Sequence, residues 1–120
     1  MSKISSFAKS KFVLKMIDNI EMIIQRHGNI TKALEDIEGQ MALMMALLQM
    51  GESLNKIDND ILEKFDLVEE VKGAYYVRNF IAHDYEGVNL AIIEDILRNR
   101  LVSLKEKVLK IEEYFENDTD

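Results

Sequence analysis

The 120-residue sequence contains no cysteine and no proline, only five glycines and only two histidines. Each shortage excludes something. Without cysteine there is neither a disulfide framework nor a thiolate zinc site. His27 and His83 cannot build a histidine-rich metal site unaided. With no proline and few glycines, almost nothing interrupts a helix. Long periodic segments therefore read as long helices, and the expected class is an all-α antiparallel bundle of four to five helices. No apolar stretch approaches the ~18 residues a membrane span needs, and the Met1-Ser2-Lys3 start lacks a signal peptide's apolar run. A soluble cytoplasmic protein with no membrane partner is expected.

What is present is ordinary in amount and uneven in placement. A hydrophobic content of 48% with 31% charged residues suits a folded globular chain rather than a disordered one. The length suits a single domain over residues 1–120. The formal net charge is −7, but the acid is segregated. Residues 1–32 hold six bases and two acids, residues 33–70 two bases and ten acids, and residues 71–110 seven bases and five acids. Diffuse, nonspecific nucleic-acid binding is not expected of such a chain, whereas a local anionic ligand within 71–110 remains open.

Periodicity places the helices. Val13, Ile17, Ile20 and Ile24 recur at four, three and four residues along a first helix over residues 6–27. Gly28 suits the position after its end, and Arg26 and His27 suit the negative end of its dipole. Thr31 reads as the N-cap of a short turn through 34–37. A long helix then runs to about Ile57, apolar nearly all round in its middle, as befits the bundle centre or a subunit interface. Four of the seven methionines fall between Met41 and Met50 and read as adaptable core packing. Gly51 in this helix predicts a close helix crossing, because a helical glycine costs ~1 kcal/mol against alanine. Asp58-Asn59-Asp60 reads as a turn and N-cap for 61–65 rather than a cation loop. Helices over 67–82 and 90–115 follow. The latter carries a nearly heptad stripe of Ile93, Ile96, Leu97, Leu101, Leu104, Val108 and Ile111. The acidic tail 112–120 is expected to fray.

Chemistry concentrates in residues 75–89. Val77, Phe80, Ile81 and Ala82 fit the buried face of a helix ending near His83; Gly87 breaks the pattern and Asn89 is a good N-cap. Arg78, Asn79, His83, Asp84 and Tyr85 thus crowd one helix end. Histidine exchanges a proton near neutral pH, and arginine offers a fixed fork of donors to a phosphate. Together they suffice, with no metal or cofactor, for attack of a ribose 2′-hydroxyl on the adjacent phosphate. His83 would be general base or acid, Arg78 would stabilise the phosphorane, and Asn79 would orient His83 or bind phosphate. The same residues also allow a purely structural alternative: an Arg–carboxylate pair, with a histidine finishing a helix.

Arginine, four residues, histidine, one residue, tyrosine, as in Arg78, His83 and Tyr85, resembles the signature of HEPN-domain ribonuclease toxins of the HEPN/MNT (HepT-like) toxin–antitoxin class. Asn79 matches the polar residue common after the arginine. Gly51-Glu52-Ser53 resembles the Gly-Glu-Ala of that family's central helix, and Gly87-Val88-Asn89-Leu90 resembles the loop entering its last helix. The resemblance implies a HEPN-type bundle forming a two-fold homodimer, with the two Arg-His motifs meeting in a cleft. It implies the toxin of a type VII-like system, a metal-independent endoribonuclease acting on RNA. It also implies a nucleotidyltransferase antitoxin that attaches AMP to Tyr85. Two other readings use the same fold: a non-catalytic HEPN subunit regulating a nucleotidyltransferase, and a structural helical dimer.

Overall fold

The computed structural model describes residues 2–117. Its elements are α1 (Ser2–His27), α2 (Ile30–Glu35), α3 (Ile37–Leu54), α4 (Asn59–Lys64), α5 (Val68–His83), a 3-10 turn (Tyr85–Gly87), α6 (Leu90–Asn99) and α7 (Leu101–Asn117). The described residues contain no strand, and none of their helices is long and apolar enough to cross a membrane. The five helices of ten or more residues make the expected all-α bundle, while α2 and α4 are six-residue pieces of its connections.

Helix α3 lies between α1 and α5, and α7 packs on the other flank of α1. Val13, Ile17 and Ile20 of α1 meet Leu43, Met44 and Leu54 of α3 and Val108 and Ile111 of α7 in the buried core. Three buried serines let α1 approach α3 closely. The Ser53 hydroxyl donates to the Lys9 carbonyl at 3.2 Å, the Ser10 hydroxyl donates to Phe7 O at 2.8 Å, and Ser6 Oγ accepts from the Asp58 amide at 3.0 Å. Every buried polar side chain at this seam is therefore partnered.

Helix ends follow local chemistry, with three departures from expectation. Gly28 takes φ +103°, the left-handed conformation that closes α1. The cap of α2 is Asn29, whose side chain accepts from Lys32 N at 2.8 Å, and not Thr31. Thr31 instead accepts a bond from Arg98 Nη2 at 3.0 Å, tying α2 to α6. Asp58 stands at the N-cap of α4 but makes no side-chain capping bond. The expected single last helix is two, bent at Arg100, where φ is −115°. The amide of Arg100 still donates to Ile96 O and its carbonyl accepts from Leu104 N, so the break is a bend. It lets α6 follow α2 while α7 follows α1. The buried stripe Ile93, Leu97, Leu101, Leu104, Val108, Ile111, Phe115 runs across it unbroken. Helix α7 reaches Asn117, and Phe115 packs on Phe7 with ring centroids 5.4 Å apart. Residues 118–120 of the acidic tail lie outside the described residues.

Candidate active site

The inward stripe of α5 is Val71, Ala74, Arg78 and Ile81, spaced three, four and three residues. Val71 and Ile81 are buried, so an arginine occupies a position that the helix periodicity would give to a hydrophobe. Phe80, expected on this face, is exposed because it stands outside that stripe on the helical wheel; Ala82, expected there as well, is exposed too, in the last turn of α5. The arginine fits because α3 presents Gly51 to it. A Cβ on Gly51 would lie 2.7 Å from Ala74 O and 2.9 Å from Arg78 Cβ, which is the close crossing that a mid-helix glycine predicts.

Glu52 faces the arginine from the next position on α3. Arg78 Nε lies 2.6 Å from Glu52 Oε2, a charge contact between two buried atoms without the alignment of a hydrogen bond. Arg78 Nη1 donates to Asn79 Oδ1 at 2.8 Å, and the Tyr75 ring lies 5.6 Å from the guanidinium carbon. Asn79 thus holds Arg78, rather than orienting His83. The guanidinium is fixed on two edges, and Nη2 has no partner among the described residues. The Arg–carboxylate pair of the structural alternative is therefore present, but it engages only one edge of the fork.

His83 is the last residue of α5, exposed, and its ring makes no hydrogen bond among the described residues. Nothing there holds it in one tautomer or ties up its proton. Beyond it, Asp84 Oδ1 accepts from Gly87 N at 3.2 Å and shapes the turn that carries Tyr85. Tyr85 is 38% exposed and Tyr76 69%. Tyr75 is half-buried, so neither tyrosine of the pair at 75–76 sits in the core. Asn89 caps α6 as its position suggests, accepting from Ala91 N at 2.9 Å. Five residues of helix turn Arg78 and His83 about 140° apart around α5 with an axial rise of about 7.5 Å, so within one chain they stand on different sides of the helix and do not converge.

Other polar clusters have structural partners. His27 Nδ1 lies 2.8 Å from Ile23 O and Nε2 lies 3.1 Å from Asp36 Oδ2. Both neighbours are acceptors, so the protonated ring can donate from both nitrogens and is the form these contacts favour. Its pKa is raised, first by the Ile23 carbonyl and then by Asp36; that of Asp36 is lowered, first by the Gly39 amide it caps and then by His27. This clasp joins the end of α1 to the start of α3. Among the described residues no three His, Asp or Glu side chains converge to hold a metal ion. A cavity of about 380 Å³ opens on the other flank of α5, lined by Leu47, Met50, Val77 and Leu104 among others, and none of Arg78, Asn79, His83 and Tyr85 reaches it.

Sequence reasoning missed the role of Glu52. The signal was there: a carboxylate beside the glycine of a helix otherwise apolar in its middle. An all-α bundle whose motif helix carries a half-buried arginine and ends in a free histidine is of HEPN type. The family described as Ribonuclease HepT-like matches residues 13–111, and the chain belongs to it. An archaeal protein provisionally named as an RNase, MJ0127 of Methanocaldococcus jannaschii, is 29% identical over 92 residues, covering 75% of each chain. No solved structure matches at a significant level.

Proposed function

We propose that this HepT-like chain is a metal-independent endoribonuclease whose catalytic residues are Arg78 and His83. The observation that carries the reading is the placement of Arg78. A charge set in the inward stripe of α5, admitted by a glycine and held on two edges, keeps a third edge without a hydrogen-bond partner among the described residues, five residues before an exposed histidine. His83 removes the proton of a ribose 2′-hydroxyl, and the oxygen attacks the adjacent phosphorus. Arg78 neutralises the phosphorane oxygens. The bond to the 5′ oxygen breaks, and the imidazolium returns its proton to that oxygen. The products are a 2′,3′-cyclic phosphate and a 5′-hydroxyl. Asn79 and Glu52 act through Arg78 as positioning residues.

The active form in this proposal is a homodimer. Helix α3 exposes Ile37, Met41 and Met45 at four-residue spacing, with both methionines 55% exposed, and the stripe runs on through Leu48 to Glu52. A second copy covering it would set two α5 ends along one cleft and supply the convergence that a single chain lacks. The proposal places the protein as the toxin of a type VII-like HEPN/MNT pair, silenced when a nucleotidyltransferase antitoxin transfers AMP to Tyr85. The phenol lies two residues from His83 without a partner among the described residues, and a nucleotide there would repel and obstruct RNA phosphate.

The test compares cleavage of a single-stranded RNA by wild type, Arg78→Ala and His83→Ala. Each variant should lose ~10²-fold or more while remaining helical and dimeric, and EDTA should leave wild type unaffected. The Arg78–Glu52 pair gives one rival reading its footing, in which α5 merely closes the bundle. Arg78→Ala would then cost stability and His83→Ala would change nothing. After co-expression with the nucleotidyltransferase, peptide mapping should find AMP on Tyr85. AMP on the more exposed Tyr76, or a silenced toxin with none, would sink that part.

A further inference from the structure

The outward face of α5 carries a second pattern that leads up to His83 and includes residues with no part in the proposed chemistry. Lys72, Tyr76, Asn79 and His83 recur at four, three and four residues, and Phe80 stands beside Tyr76 one turn on. Lys72, Tyr76, Phe80 and His83 are all exposed. The Tyr76 and Phe80 ring centroids are 6.5 Å apart, and the two rings wall a shallow hollow of about 80 Å³ floored by Val77, Ile81 and Ile93. Asn89 lines it too. Its Oδ1 is taken by the cap of α6, so only its amide is free to donate. Lys72 touches only Glu69, at 3.4 Å, with both side chains largely in solvent, so this pair is weak and exchangeable.

We propose that this face is a single-strand track: an RNA base stacks on the Tyr76 ring, Phe80, tilted 45° to it, closes the edge of the base, and Lys72 holds a backbone phosphate one helical turn before it. The inference rests on the ribonuclease reading and extends it to how the substrate lies. Two observations favour RNA over an apolar partner. The stripe places a cation, an aromatic platform, an amide and an imidazole in line over about 16 Å of helix, which matches the alternation of phosphate and base along a strand. It also runs directly into His83, so a strand on the platform is delivered to the proposed site. Aromatic platforms of this kind are sequence-tolerant, because every base has a π-face. The free amide of Asn89 would favour bases presenting an acceptor.

The experiment is anisotropy titration of a fluorescein-labelled 2′-O-methyl oligonucleotide, which no 2′-hydroxyl attack can cut, at several salt concentrations. Tyr76→Ala should weaken binding about 5- to 150-fold and leave the salt slope unchanged. Lys72→Ala should flatten the slope of log K against log salt by about 0.7, the value for one phosphate of a single strand. Phe80→Ala, checked for helicity by circular dichroism, should weaken binding in the manner of Tyr76→Ala. Wild type that does not bind, or variants that bind as wild type does, would overturn the track even if RNA cleavage is intact. Binding that follows this pattern without any cleavage of ordinary RNA would instead retire the ribonuclease reading and keep the track. A Tyr76→Ala protein that sediments as a monomer where wild type is a dimer would show that a second copy covers this face, and would overturn the proposal.

Discussion

Arg78 carries three separate contacts, and lysine could reproduce only the charge. A lysine would place one ammonium near Glu52, with no second edge for Asn79 and no fork for phosphate. Arg78→Lys should therefore cleave RNA ~10²-fold more slowly, while its thermal midpoint stays within a few degrees of wild type. A variant that keeps near-full activity would show that a point charge is enough. The second histidine answers to a different measurement. The folded pKa of His27 is raised above its ordinary 6.5, so its stabilisation is complete below that pH and is lost as pH rises through the raised value. The pKa of Asp36 is lowered from 3.8, so its share is present above that pH and lost as pH falls through the lowered value. The clasp is whole between the two. The gap in urea midpoint between wild type and His27→Ala should be widest at about pH 5 and narrow towards about pH 8. A gap that widens with alkali would contradict this sign.

At the scale of the helix, two glycines make opposite predictions. Gly51→Ala gains helix propensity but drives a methyl into the backbone of α5, so it should destabilise by about 1–3 kcal/mol and reduce activity by moving Arg78. Gly73, inside α5, has open space where a methyl would go, with nothing within 4 Å, so Gly73→Ala should stabilise by about 0.5–1 kcal/mol. Denaturant midpoints for the pair check both signs. The crossing at Gly51 was legible because glycine is costly in a helix, and the closures at Gly28 and Asn89 because few residues do those jobs. The inward face of α5 was only partly legible from hydrophobicity. Ile81 is buried and Val77 packs on the core as expected, but an arginine stands in the stripe while Phe80 and Ala82 are exposed, so apolar spacing was half right. The bend at Arg100 escaped notice for a related reason: the apolar stripe continues straight through it, and only the packing of α6 on α2 and α7 on α1 reveals two helices. The partner of Arg78 lies 26 residues away on another helix, so the carboxylate beside Gly51 marks a crossing without saying which residue it meets.

The whole molecule leaves an apolar strip exposed on α3, and the proposed catalytic groups do not converge within one chain. Met45→Glu puts a charge in the middle of that strip and should turn the proposed dimer into a monomer by sedimentation, with cleavage falling alongside. A monomeric wild type that cleaves RNA would show that one chain suffices. The central claim is that a 2′-hydroxyl, activated by His83 and opposed by Arg78, cuts the strand. Its most direct measurement is cleavage, in EDTA, of one oligoribonucleotide against the same strand with a single 2′-deoxy residue at the cut. The all-ribose strand should yield a 2′,3′-cyclic phosphate and a 5′-hydroxyl, and the deoxy strand should stay whole at that bond. Equal cutting of both strands, or cutting that appears only when magnesium is restored, would contradict the account.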